Sequence, residues 1–126
     1  MLEVQRKAEA RAAAVESARP LLLRVERLAG MLCYWFPERD GPEAAAVGDL
    51  FQQAEKSAVE AEGELDEGRL DRALHYALVA ASALEAAAEM LPPPKLPGLQ
   101  REHTIRLMLE RAIDAAKRAA ALLDVV

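Results

Sequence analysis

Glu64-Leu65-Asp66-Glu67-Gly68-Arg69-Leu70-Asp71-Arg72-Ala73-Leu74-His75-Tyr76-Ala77 joins two apolar helical patterns through one glycine. Before it, Val47, Phe51, Ala54, Ala58, Ala61 and Leu65 recur at spacings of three and four, the signature of one buried helical face. After it, Leu70, Leu74, Ala77, Ala81, Leu84, Ala88 and Leu91 repeat the pattern. Gly68 is the natural left-handed stop between them, because it reaches positive φ without a Cβ clash. The stretch therefore predicts the tip of a tight antiparallel helical hairpin. It fixes architecture and carries no chemistry of its own.

Working outward, Val15, Ala18, Leu22, Val25, Ala29, Leu32 and Phe36 form a third stripe, which predicts a first helix over about 2–36. Pro20 sits inside it, removing a backbone donor and crowding the preceding turn, so a kink or split is expected near Ser17 to Pro20. Pro37-Glu38-Arg39-Asp40-Gly41-Pro42-Glu43 reads as a loop, with Pro42 suited to the first position of the next helix and Glu43 to its dipole. The second helix then covers about 43–67 and the third about 69–91. Pro92-Pro93-Pro94 ends the third, and Lys95-Leu96-Pro97-Gly98 connects it to a fourth over about 99–125. That helix carries Ile105, Leu109, Ala112, Ala116, Ala119, Leu123 and Val126 on one face. Four striped helices with short connections describe an all-α, antiparallel four-helix bundle, one domain over residues 1–126.

Three of the stripes are mostly alanine, so the helix axes should approach toward the short end of the usual spacing. Larger apolar side chains gather in the first helix, at Leu21, Leu22, Leu23, Leu28 and Tyr34-Trp35-Phe36. This helix is expected to be the central element or the surface that meets a second subunit.

At 126 residues the chain can bury a core without disulfide or metal staples. Its single cysteine, Cys33, cannot form an internal bridge and suits a reducing, cytoplasmic setting, where a buried inert thiol is the expected role. The first residues mix both charge signs, unlike a signal peptide, and no apolar run reaches the roughly 20 residues that span a bilayer. A net charge of −5 argues against a nucleic-acid partner bound through bulk electrostatics. The absence of asparagine, the preference for Arg over Lys and the richness in Ala fit a thermophilic or GC-rich source.

The strongest functional candidates are Tyr34, Trp35 and Phe36. Consecutive helical side chains point about 100° apart, so at least one of the three rings is expected to leave the bundle's own core, where either Pro37 and the following loop fold over it, closing a corner of the core, or it meets a partner as an interface residue. Elsewhere the chemistry is thin. Glu64 and Glu67 stand at the E-x-x-E spacing of a magnesium-binding helix, but no E-x-x-D pair follows to complete a metal site. His75 and His103 fall on different helices, and no zinc spacing occurs. Ser82 has no partner at an activating spacing and is expected to pack with its hydroxyl bonded back to its own helix. No metal and no cofactor is implied.

Two resemblances add expectations. Arg69 and His75 form an R-x5-H arrangement that resembles the R-x4-6-H motif of the HEPN ribonuclease family, which implies a catalytic pair acting at an RNA phosphate. In that family the motif opens the last long helix, whereas here another helix follows. Separately, Glu67-Gly68, Ala73-Leu74, Tyr76, Ala80, Ser82 and Leu84-Glu85-Ala86 resemble an uncharacterised archaeal family of small helical proteins, over about Phe51 to Leu91. Val79 stands where that family has tyrosine and Ser82 where it has glycine. The same turn is similar to tetratricopeptide and MIT-type hairpins. These resemblances imply a bundle fold and no known activity. The expectation is a non-enzymatic protein–protein interaction or structural module, a homodimer through the first helix; the alternative is an RNA-directed protein using Arg69 and His75.

Overall fold

Alanine, leucine, glutamate and arginine dominate the chain, and these strong helix formers make helix the cheapest local state nearly everywhere. A computed structural model describes residues 2–36, 41–91 and 100–125. It contains α1 (Leu2–Trp35), α2 (Pro42–Asp66), α3 (Leu70–Met90) and α4 (Gln100–Leu123). The expected segments at Pro37–Asp40, Pro92–Gly98 and Val126 lie outside the described residues.

Each helix packs along its two sequence neighbours, α4 returns to α1, and the α1/α3 diagonal barely touches. The result is the antiparallel four-helix bundle read from the stripes, with α1 at one corner of a square and not at its centre. Helix α1 is longest, and residues 2–13 are exposed, so its first three turns run past the bundle. Pro20 does not divide α1: the helix is continuous through it, and Pro20 itself is exposed on the side away from the core. At such a position the missing N–H leaves a carbonyl that water can reach.

The second helix opens as expected, with Gly41 at φ 115° before Pro42 at its first turn. It closes on Gly68, at φ 75°. The Gly68 N–H donates to the Leu65 carbonyl (3.1 Å) and the Arg69 N–H to the Glu64 carbonyl (2.9 Å), which together form a Schellman turn. Two otherwise orphaned carbonyls are thus satisfied while the chain reverses.

The core forms two layers along the bundle. One surrounds Phe51, Leu32, Leu84 and Leu109; the other, toward the Gly68 turn, surrounds Leu22, Leu65, Leu70 and Leu123. Alanine fills most of the remaining buried positions. The expected stripes of α2 and α4 are buried as read over the described residues. On α3 the buried face is rotated toward Ala73, Ala80, Ala83 and Ala87, leaving Leu74, Ala88 and Leu91 half-buried. Beside the buried Leu70 and Leu84, alanine takes most of the innermost positions there, because close helix approach leaves room for few larger side chains.

Candidate functional site

The last turn of α1 carries the three consecutive aromatics, and the helix sends them in different directions. Phe36 packs its ring against the fully buried Phe51, with centroids 5.6 Å apart and planes inclined by 52°. This tilted arrangement suits two ring quadrupoles. Trp35 is half-buried against the same core layer. Tyr34 leaves it and is 87% exposed. One turn earlier, Met31 is 54% exposed. Residues 31 and 34 share a helical stripe, so they make one apolar projection at this end of the molecule. Two rings therefore close a corner of the core, and one is presented outward.

Gly48 explains how that corner closes. A Cβ built there would lie 2.8 Å from the Phe36 carbonyl oxygen, so a side chain at position 48 would push the end of α1 away. The glycine lets Phe36 settle over Phe51. Sequence reading missed this residue, because a glycine inside a helical pattern carries no mark of the backbone that approaches it.

Arg69 and His75 are held apart in role. Arg69 is the residue just before α3, and its Nε donates to Glu64 Oε2 at 2.6 Å across the Gly68 turn. This ion pair raises the guanidinium pKa above its ordinary value and lowers that of Glu64. His75 is exposed, contacts the Tyr76 ring edge-on at 5.5 Å, and borders an open groove between α2 and α3. Leu50 and Gln53 form the α2 side of that groove, and Leu78, Ser82 and Ala86 lie on the α3 side. Arg69 is not among its lining residues. Ser82 is exposed there, so it does not pack as expected.

No group of three or more His, Cys, Asp or Glu side chains is placed to hold a metal ion among the described residues. Glu64, one half of the E-x-x-E spacing, is committed to Arg69. Cys33 is half-buried, with its Sγ 3.9 Å from the Gly48 carbonyl and 4.0 Å from Glu55 Oε2. Burial, reinforced by the Glu55 carboxylate, pushes the thiol up to about 11, which favours the protonated form at neutral pH. No helix among the described residues is long and apolar enough to cross a membrane.

Two electrostatic features appear only in three dimensions. Glu62 of α2 meets Glu26 of α1, and burial together with a carboxyl–carboxyl hydrogen bond pushes Glu62 up to about 7. Next to this pair, Arg19 bridges Asp66 at 2.7 Å. The second feature is a division of charge. Neighbouring α1 and α4 together carry eleven basic and seven acidic residues, whereas α2 and α3 carry two basic and ten acidic. One half of the bundle is thus basic and the other strongly acidic, although the net charge of −5 conceals it. Counting charges per helix would have exposed the imbalance, but only the packing order shows that like-charged helices are adjacent.

Comparison of the chain with protein-family models, with curated proteins and with solved structures finds no match in any of the three.

Proposed function

We propose that the protein is a non-enzymatic helical module that works through protein contacts, self-association included, using the α1 end that carries Tyr34. The observation behind this reading is the Tyr34 side chain, 87% exposed beside a 54% exposed Met31 near the end of α1. An ordered aromatic ring offers large contact area and few rotatable bonds to freeze, which is why tyrosine is enriched at interfaces. Trp35 and Phe36 act behind it, holding the last turn of α1 against the core. The core itself is closed by alanine-rich packing, and the described cationic side chain of the R-x5-H pair is spent on the Gly68 turn.

Size-exclusion chromatography with light scattering tests the reading. Wild-type protein at high micromolar concentration is expected to run above its 13.7 kDa monomer mass, and Tyr34→Ala to return it toward the monomer with unchanged thermal stability. Trp35→Ala should lower both association and stability, because its ring also packs on the core. A wild type that stays strictly monomeric removes self-association from the reading.

A further inference from the structure

Two exposed faces of this bundle are complementary in charge. On α1, Arg24, Arg27, Met31 and Tyr34 are all exposed and follow one another at i, i+3, i+7 and i+10, which puts them on a single stripe. That stripe lies away from α2, whose side of α1 is occupied by Arg19, Glu26 and Cys33. On the adjoining helix α4, Leu107, Arg111 and Arg118 form an exposed stripe away from α3, toward which Arg106 and Lys117 reach. The α1/α4 face is therefore an apolar ridge flanked by Arg24, Arg27 and Arg111, while Arg118 pairs with the exposed Asp114 of its own helix at 3.6 Å. On the opposite side of the molecule, the α2/α3 groove has a floor of small residues, Ser82 and Ala86, between Leu50 and a 51% exposed Leu78. Asp49, Glu60 and Glu89 are exposed on the same two helices.

From this complementarity we infer that the occupant of the α2/α3 groove is a second copy of this chain, which inserts its Met31–Tyr34 ridge and sets its arginines against the exposed carboxylates of α2 and α3. The inference rests on the reading that the Tyr34 face mediates contacts, and it names the surface that receives it. A stable contact needs about 800 Å² from each partner, roughly a tenth of the 8166 Å² that the protein exposes, and one side of a four-sided bundle supplies that area. Because the two surfaces differ, the contact is heterologous. Copies linked this way add head to tail until they close a ring or extend a filament.

Two variants separate this arrangement from any symmetric one. The first carries Arg24→Glu, Arg27→Glu and Tyr34→Ala, which disables the ridge. The second carries Asp49→Arg and Ser82→Arg, which disables the groove. All five positions are exposed, so both variants should keep wild-type helicity and melting temperature, checked by circular dichroism. Each alone is expected to be monomeric by light scattering. Mixed in equal amounts, they retain one intact ridge and one intact groove, and should give a 1:1 species of about twice 13.7 kDa that grows no further. Raising the salt to 0.5 M should weaken that species at least several-fold, since ions screen exposed charge pairs. A mixture that stays monomeric while the wild type associates overturns the ridge-in-groove contact and leaves the Tyr34 reading standing. A groove variant that associates like the wild type also overturns it. A wild type that is monomeric throughout overturns the ridge-in-groove contact and removes self-association from the Tyr34 reading.

Discussion

The two ends of the bundle each depend on a glycine, and for opposite reasons. At the hairpin end Gly68 is needed for its backbone angle: φ is 75°, and nothing lies within 4 Å of where its Cβ would be. At the aromatic end Gly48 sits in ordinary helix and is needed for space, since the Phe36 carbonyl would be 2.8 Å from an added Cβ. The hairpin end is finished by local backbone hydrogen bonds and polar pairs. The aromatic end is finished by rings brought together from residues fifteen positions apart, Phe36 and Phe51. Local turn chemistry is self-contained, whereas close approach depends on a partner distant in the chain.

This contrast can be broken at several points. Phe51→Ala should have the largest effect, about 3–5 kcal/mol, because it empties a fully buried site and removes the ring under Phe36; chemical denaturation measures it. Gly48→Ala follows at about 1–2 kcal/mol, the strain of displacing the Phe36 backbone exceeding the gain in helix propensity. The same substitution at the other end, Gly68→Ala, should cost about 1 kcal/mol through left-handed strain alone. The two alanine variants differ in a second readout: Gly48→Ala should disturb the single tryptophan, Trp35, and change its fluorescence, while Gly68→Ala should leave it unaltered.

The hairpin half should also titrate. Glu62 holds its proton up to about pH 7 in the fold, against an ordinary value of 4.5 in the unfolded chain. Between those values the unfolded state has released a proton that the native state keeps, so stability falls as pH rises from about 4.5 to about 7. Solvent screening at this half-buried site holds the loss to about 1 kcal/mol. Denaturation midpoints measured across that range should decline for the wild type, and Glu62→Gln should flatten the decline. The smallest effect belongs to Tyr34→Ala, expected within about 0.5 kcal/mol of wild type because the ring touches little of its own molecule.

The fold was legible because its determinants are periodic or local. The stripes of α2 and α4 marked the buried faces, Gly68 marked the reversal, and Pro42 marked the start of α2. Pro20 left a kink or a split open, and the helix is not split: a proline on the solvent side of a long amphipathic helix leaves its exposed backbone to water, and tertiary packing carries the helix through. The face of α3 was read slightly rotated, because alanines and leucines alternate too closely there for periodicity to rank them. At the candidate site, the divergence of Tyr34, Trp35 and Phe36 followed from helical geometry. Which ring would be the outward one did not, as that depends on Gly48 and Phe51. The Glu26–Glu62 pair and the charged halves of the bundle were illegible for the same reason: each arises from helices meeting side by side.

The most direct measurement is hydroxyl-radical footprinting of Tyr34 over a dilution series. The account expects strong labelling of Tyr34 in dilute monomer and progressive protection at high micromolar concentration, with the buried Phe51 shielded throughout. Equal labelling of Tyr34 at every concentration, with added binding partners or without, would contradict the claim that this end of α1 is where the protein makes its contacts.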